Sequence, residues 1–209
     1  AAGDNFGHSV SLSADGTRVA AGAQYNGAEY PGHVRIYQFD GTVWSQMGAD
    51  IDGERNEDKS GDSISLSANG DRVAIGAPWN DDAGSKSGHV RVYQFDGNVW
   101  SQMGTDIDGE ASGDQSGYSV SISADGDRVA IGAPRNDGAE KSNGGHVRVY
   151  QFDGNVWSQM GADIDGEASG DQSGYSVSIS ADGDRVAIGA PRNDGAEKSN
   201  GGHVRVYQF

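Results

Sequence analysis

Cysteine is absent from the 209-residue sequence, and only four residues are proline. Without cysteine the chain forms neither disulfide bonds nor thiolate metal sites, although this absence does not identify the compartment. Hydrophobic residues are also scarce, at 34% of the chain. No apolar run approaches the roughly 20 residues that a membrane-spanning helix needs, so insertion into a membrane is not expected.

Basic residues are outnumbered by acidic ones, 15 Lys and Arg against 31 Asp and Glu, which gives a net charge of −16. A chain with this charge is repelled by nucleic acid backbones and by anionic membrane surfaces. We therefore expect neither nucleic acid nor a membrane as a partner, and we favour cations or basic proteins.

Glycine, in contrast, is abundant, with 34 residues, and the sequence is repetitive. Residues 169–209 occur letter for letter at 112–152, and diverged copies begin near Gly61 and at the start of the chain. Low hydrophobicity favours disorder on composition alone, but Val, Ile, Tyr and Trp recur at regular positions, as in a repeat protein. The sequence therefore predicts one repeat domain, 1–209, with four units at about 1–54, 55–110, 111–167 and 168–209. The identity of the last two units indicates a recent duplication or deliberate engineering.

The third unit shows the strand pattern most clearly. Its first segment alternates apolar and small polar residues, which is typical of a strand, and Asp125-Gly126 follows as a hairpin turn. Three further segments have strand character, and Pro134 ends the second strand. The four predicted strands are 117–123, 128–133, 146–152 and 156–160. Four antiparallel strands per unit predict an all-β fold, a β-propeller with four blades in the chain.

The fourth unit stops at Phe209, before its outer strand, and the N-terminus begins just before a first strand. We therefore predict that the last blade lacks its outer strand and that 203–209 is an exposed edge. Four blades could close alone, or two chains could pair as a homodimer that completes an eight-bladed ring. Val120 and Ile122 on the inner strand would crowd a four-fold axis, which favours the larger ring.

The pattern GYSVSISADGDRVAIGAP at 174–191, which opens the chain as FGHSVSLSADGTRVAAGA at 6–23, resembles the FG-GAP repeat. That family builds the propellers at the N-terminus of integrin α-subunits and of many bacterial and algal surface proteins. Phe6-Gly7 matches the FG element, and the GAP element recurs at 76–78, 132–134 and 189–191. The resemblance implies blades whose first strand lines the central axis and whose fourth lies outside. It also implies a ligand-binding or adhesion role, no catalysis, and a place outside the cell or at its surface.

Many FG-GAP repeats carry a calcium loop between the first two strands, but here that loop is reduced to Ala-Asp-Gly or Ala-Asn-Gly. Calcium takes about six to eight oxygen ligands, so the family's calcium sites are not expected. The acidic connectors after the fourth strand are better candidates, because alternate carboxylates on an extended segment point to one side. Their acidic residues are Asp50, Asp52, Glu54, Asp106, Asp108, Glu110, Asp163, Asp165 and Glu167. They are candidate ligands for a hard cation such as calcium, but the favoured interpretation is a solvated connector whose Ile is tucked in and whose acids face water.

Two other residue types recur once per blade. The histidines that begin the third strand are interpreted as structural residues with a hydrogen bond at the strand entrance, rather than as metal ligands; they are His33, His89, His146 and His203. The tryptophans of the fourth strand are expected to pack between blades rather than to stack on sugars; they are Trp44, Trp100 and Trp157. No serine lies in sequence beside a His–Asp pair, so we predict no catalytic residue and no resident cofactor other than the possible calcium.

These observations favour a non-enzymatic FG-GAP-type scaffold or binding module that self-assembles into a larger ring. The alternatives are a cell-surface adhesion propeller, a carbohydrate- or cation-binding propeller, and a hydrolase or lyase, which would need a unique acidic cluster. Among the loops between the second and third strands, 24–32 and 79–86 differ from those of the other blades. A protein or glycan ligand is therefore expected at blades one and two.

Overall fold

The computed structural model describes residues 3–26, 31–138, 141–194 and 200–209, and these residues form strands, turns and loops. Within them, no helix has the length and apolar character needed to cross a membrane. The strands form four successive antiparallel sheets. The predicted all-β propeller fold with four blades is confirmed.

The first three sheets have five strands each, and the fourth has three. Sheet one contains β1 (Val10–Leu12), β2 (Arg18–Ala23), β3 (His33–Phe39), β4 (Trp44–Gln46) and β5 (Ile51–Asp52). Sheet two contains β6 (Ser63–Leu66), β7 (Arg72–Ala77), β8 (His89–Phe95), β9 (Trp100–Gln102) and β10 (Ile107–Asp108). Sheet three contains β11 (Ser119–Ile122), β12 (Arg128–Ala133), β13 (His146–Phe152), β14 (Trp157–Gln159) and β15 (Ile164–Asp165). Sheet four contains β16 (Ser176–Ile179), β17 (Arg185–Ala190) and β18 (His203–Gln208), so it lacks the outer strand as predicted.

The hairpin between β1 and β2 shows why the chain turns where the sequence predicts. Gly16 has a φ of +70°, a backbone conformation that glycine adopts without strain. The Asp15 carboxylate accepts hydrogen bonds from the Ser13 hydroxyl (2.7 Å) and from the Thr17 backbone N–H (2.9 Å). These bonds lower the pKa of Asp15 to about 2. The turn therefore depends on an ionised carboxylate and a glycine.

The outer edge of each complete sheet differs from the single fourth strand that the sequence predicts. In sheet one, β4 pairs with the end of β3 (Phe39 opposite Trp44), and β5 pairs with its beginning (His33 opposite Asp52). The acidic connector is thus a strand of the sheet as well as a link to the next blade. Its Ile51 is buried while Asp52 is exposed, so alternation along the strand separates the apolar side chain from the acidic one.

Neighbouring sheets are joined through their inner strands, β1, β6, β11 and β16, which lie against one another in turn. Serine side chains connect them. The Ser121 hydroxyl oxygen accepts a hydrogen bond from the backbone N–H of Ile179 (3.0 Å), and the Ser119 hydroxyl donates to the Gly174 carbonyl (2.8 Å). Equivalent bonds join the earlier blades. The period-2 serines therefore belong to the contact between blades.

Apolar residues from successive sheets form the core. Between sheets one and two, Val34 and Ile36 of β3 belong to one buried cluster with Ile64 and Leu66 of β6. Clusters of the same kind join sheets two and three and sheets three and four. The outward faces of the end sheets are uncovered: Val10 and Leu12 are 66% and 62% exposed, and Val204 and Val206 are 69% and 65% exposed.

Candidate functional site

A cavity of about 320 Å³ lies where the two variable loops meet. In each blade the first strand runs antiparallel to the second, so the segment before the first strand and the loop after the second lie at the same end of the sheet. Segments from blades one, two and three converge there. We call this space the loop cavity; its lining includes Tyr25, Lys59, Trp79, Lys86, Tyr118 and Arg135.

Two lysine ammonium groups of the loop cavity lie against the ring of Trp79. The Lys59 ammonium lies 3.2 Å from the centre of the Trp79 ring, and the Lys86 ammonium lies 4.1 Å from it. Lys59 also lies 5.2 Å from the ring centre of Tyr25. An aromatic face attracts cations through its quadrupole. The tryptophan therefore holds two ammonium groups together despite their mutual repulsion.

Beside these cations lies a small polar network. The Gln24 side-chain nitrogen is 3.0 Å from His8 Nδ1, and His8 Nε2 is 3.5 Å from the Asp62 carboxylate. Burial raises the pKa of Asp62, while His8 and Lys59 act in the opposite direction. Among the described residues that line the loop cavity, Lys59, Lys86 and Arg135 thus face a single carboxylate.

Tyrosines extend one side of the loop cavity along the blades. The rings of Tyr118 and Tyr175 have their centres 5.0 Å apart. Burial, together with the hydrogen bond to Tyr175, raises the pKa of Tyr118 to about 12. Tyr118 therefore remains a neutral phenol at physiological pH, able to donate a hydrogen bond.

Both of the variable loops contribute residues to the lining of the loop cavity. Tyr25 comes from the first variable loop, and Trp79 and Lys86 come from the second. Residues 27–30 of the first loop, including Tyr30, lie outside the described residues. Lys59 and Arg135, from a connector and from blade three, were not predicted, because only stacking brings those segments here.

The acidic connectors form a second set of candidate residues, and the structure divides them among three histidine clusters. In each cluster, one possible ligand atom from every member lies within 4.8 Å of the others. The clusters are His33 with Asp50 and Asp52; His89 with Glu54, Asp82 and Asp106; and His146 with Glu110 and Asp163. Glu54 thus belongs with the next connector's Asp106 rather than with Asp50 and Asp52. The other predicted residues, Asp108, Asp165 and Glu167, lie outside these clusters.

Arginines of the third strand hold the connectors in place, a role that the sequence did not reveal. In blade one, the Arg35 guanidinium donates to the Asp50 carboxylate at 2.8 to 3.0 Å, which lowers the pKa of Asp50. In the later blades the same arginine reaches the preceding connector. Arg91 donates to the Asp52 carbonyl (2.8 Å) and Arg148 to the Asp108 carbonyl (2.7 Å). Each connector is thereby fixed to the following blade.

The histidines differ from the interpretation made from sequence. His33 and His89 are buried, yet neither ring nitrogen of either residue has a hydrogen bond. Burial lowers the pKa of His33, of His89 (to about 4) and of His146. These imidazoles are therefore neutral at physiological pH.

The tryptophans follow the expected arrangement wherever a preceding blade exists. Trp100 donates its indole N–H to the Met47 carbonyl (2.8 Å), and Trp157 donates to the Met103 carbonyl (2.7 Å). Trp44, which has no such partner sheet, is exposed. The indole at this position is therefore a contact between blades.

Comparison with known proteins confirms the resemblance noted in the sequence. A family model described as the FG-GAP repeat matches residues 105–150. Residues 112–150 of that match occur again, unchanged, at 169–207. No curated protein matches the chain.

Proposed function

Because this chain carries an FG-GAP repeat and folds as a β-propeller module, we propose that it is a non-enzymatic binding module whose loop cavity takes an acidic saccharide. The observation that carries the proposal is that Lys59 and Lys86 meet over Trp79 in a cavity that Arg135 also lines. The natural protein would act outside the cell or at its surface, where FG-GAP repeats typically occur.

Charge favours an anionic ligand. The chain as a whole carries a net charge of −16, yet the described lining of the loop cavity has three cationic side chains and one carboxylate. Ammonium and guanidinium groups form strong charge-assisted hydrogen bonds with carboxylates and sulfates. The surrounding acidic surface repels extended polyanions, so a short acidic oligosaccharide fits better than a nucleic acid.

Aromatic rings favour a sugar among anionic ligands. Tyr25 and Tyr118 bring aromatic rings to the cavity lining, beside polar groups from Gln24 and Gln115, while Trp79 holds the two ammonium groups. A sugar ring presents both C–H surface and hydroxyl groups, so it matches such a mixture. An acidic peptide is the competing ligand, and it is an outcome of the test.

The test is isothermal titration calorimetry with three probes: a trigalacturonate, a neutral trisaccharide and a tri-aspartate peptide. We expect binding of trigalacturonate alone, weakened by added salt because exposed charges are screened. Lys59→Gln and Lys86→Gln should each weaken it roughly tenfold, the effect of losing one charge-assisted hydrogen bond of about 1.5 kcal/mol.

The matched control is Arg185→Gln, which removes the same charge from an exposed side chain that does not line the loop cavity. Its affinity should equal that of the unmodified protein. Equal weakening by all three variants would show that the loss of any positive charge weakens binding, and it would contradict a binding site in the loop cavity. Preference for the peptide, or no binding of trigalacturonate, would contradict the proposal.

The uncovered end faces favour a second candidate function, head-to-tail assembly of two copies into an eight-bladed ring. Val10 and Leu12 occupy the positions of Ile64 and Leu66, which pack against Val34 and Ile36 of the preceding sheet. The two exposed faces are thus the two halves of an interface that already occurs three times within the chain.

The exposed face of the last sheet also matches an interface that occurs within the chain. Val204 and Val206 occupy the positions of Val147 and Val149, which form a buried cluster with Ile179 and other residues of the following sheet. A second copy can cover each face by repeating the existing contacts, so its interface needs no new geometry. Light scattering coupled to size exclusion tests this candidate: twice the 21.7 kDa chain mass supports it, and a monomer at all concentrations contradicts it.

A further inference from the structure

The histidine cluster of blade two differs from the others in composition. It brings together Glu54 from the first connector, Asp82 from the β7–β8 loop, His89 at the start of β8, and Asp106 just before β10. These four side chains come from separate segments of the chain. Three carboxylates and one imidazole therefore meet between blades one and two.

His89 gives an independent indication that this cluster has a ligand. The side chain is 1% exposed, and neither Nδ1 nor Nε2 has a hydrogen bond. Its Nδ1 lies 3.7 Å from Asp106 Oδ2, beyond hydrogen-bond distance. A buried nitrogen without a partner destabilises the fold. A cation bound to Nδ1 would satisfy it.

The electrostatics of the cluster point the same way. The carboxylates of Glu54, Asp82 and Asp106 each bring an oxygen within 4.8 Å of the others. Arg91 lies 3.4 Å from Glu54, but its other terminal nitrogen donates to the Asp52 carbonyl. With the exposed Arg55 beside Asp82, two guanidinium groups thus face three carboxylates. A divalent cation would relieve the remaining repulsion.

We propose that Glu54, Asp82, His89 and Asp106 bind one divalent transition-metal ion, such as zinc, between the first two blades. Imidazole favours first-row transition ions, whereas calcium takes oxygen ligands. Zinc sites are tetrahedral with ligand distances of about 2.1 Å, so their ligand atoms lie about 3.4 Å from one another. The ligand atoms of this cluster, which lie within 4.8 Å of one another, therefore have to move closer together on binding.

The carboxylates can turn toward an ion at modest cost. Asp106 uses one oxygen to accept a hydrogen bond from Gln102 (2.6 Å), while the other is the oxygen nearest His89. Asp82 is paired with Arg55 at 2.5 Å, but the Arg55 side chain is 63% exposed. An exposed ion pair contributes little stability, so a metal ion displaces it readily.

In the described part of the chain, the clusters of His33 and His146 do not combine three available carboxylates with a buried imidazole. In blade one, Asp50 is already held by Arg35 and Gln46. In blade three, Gly138 stands at the position of Asp82, and the cluster has three members among the residues that the structure describes. The proposal therefore predicts one strong site per chain, placed in blade two.

The experiment is titration of the metal-free protein with zinc chloride, followed by calorimetry, with cobalt(II) absorption as a second readout of imidazole ligation. We expect one zinc ion per chain, retained in a thousandfold excess of calcium chloride. Glu54→Gln and Asp82→Asn should each weaken zinc binding at least tenfold. His89→Gln should abolish it and should change the cobalt spectrum.

Glu57→Gln is the matched control, because it removes an exposed carboxylate from the same segment, outside the cluster. It should leave zinc affinity unchanged. If His89→Gln fails to fold, the zinc affinities of Glu54→Gln and Asp82→Asn test the proposal, because both residues are exposed and their replacement should not prevent folding. Absence of zinc binding, displacement by calcium, or equal affinity of Glu54→Gln, Asp82→Asn and Glu57→Gln would overturn the proposal.

Discussion

At the scale of the residue, a side chain at one repeated position acts according to what the neighbouring blade provides. Arg35 binds the carboxylate of its own connector, whereas Arg91 and Arg148 bind backbone carbonyls of the preceding one. Trp44 is exposed, whereas Trp157 donates to Met103. The same residue in the same local sequence therefore contributes differently to stability in different blades.

Burial of His146 predicts a dependence of stability on pH. Burial and Arg148 lower its pKa below the ordinary 6.5, against the opposing effects of Asp163, Glu110 and Asp114. Above pH 6.5 the imidazole is neutral in both the folded and the unfolded chain, so the free energy of unfolding does not depend on its protonation there. As the pH falls below 6.5, only the unfolded chain takes up the proton, and the free energy of unfolding decreases.

The measurement is urea denaturation of the metal-free protein and of His146→Gln between pH 8 and pH 4.5. The variant should lose less stability than the unmodified protein over the acidic part of this range, because it lacks the titrating group. Parallel curves for the two proteins would show that His146 does not contribute in this way.

At the scale of the element, the close approach of sheets depends on glycine in the second strand. A Cβ built on Gly132 would overlap the Gly174 carbonyl oxygen of the next blade, as well as the Ser119 hydroxyl. At Gly189, the equivalent position in the last blade, it would overlap only the Ser176 hydroxyl. The GAP glycine is therefore required for stacking of blades rather than for the conformation of the strand.

Gly132→Ala and Gly189→Ala form a matched pair that tests this explanation. Gly132→Ala should destabilise the protein by about 2 to 3 kcal/mol, the upper part of the range for overpacking in a close-packed core. Gly189→Ala should cost less than about 1 kcal/mol, because a hydroxyl can rotate away whereas a backbone carbonyl cannot. Urea denaturation measures both free energies of unfolding, and equal losses would contradict the argument.

At the scale of the whole molecule, the first and last sheets each have an uncovered apolar face, and the two faces carry different strands. Val10 and Leu12 lie on one uncovered face, and Val204 and Val206 lie on the other. Contacts between the two would be head-to-tail, so one copy's first sheet would meet its partner's last sheet. Blocking either face should then have the same consequence.

We expect Val10→Glu and Val206→Glu each to be monomeric, because a charge at the centre of an apolar contact is costly to bury. Mixed in equal amounts, they should form a one-to-one pair through the two unblocked faces. Val156→Glu, at an exposed position in the turn after β13, is the control and should associate like the unmodified protein. Light scattering gives each molar mass, and failure of the mixture to pair would contradict head-to-tail association.

Short-range patterns predicted much of this fold. Alternation of serine with Val or Ile predicted the inner strands, and Asp-Gly predicted the hairpins, because both depend on neighbours along the chain. The split outer edge was missed, since Ile51–Asp52 is too short a strand to show a period. The expected histidine hydrogen bonds were also absent at His33 and His89, because burial there depends on packing by other segments.

The repeated sequence by itself determined the all-β class, the number of blades and the loops in which variation is concentrated. Only the tertiary structure decided that Lys59 and Lys86 meet over Trp79 and that Glu54 lies with His89 rather than with Asp50. The physical reason is one of range. Strands and turns follow from interactions between near neighbours, whereas both sites form from segments of different blades, which the packing of apolar faces brings together.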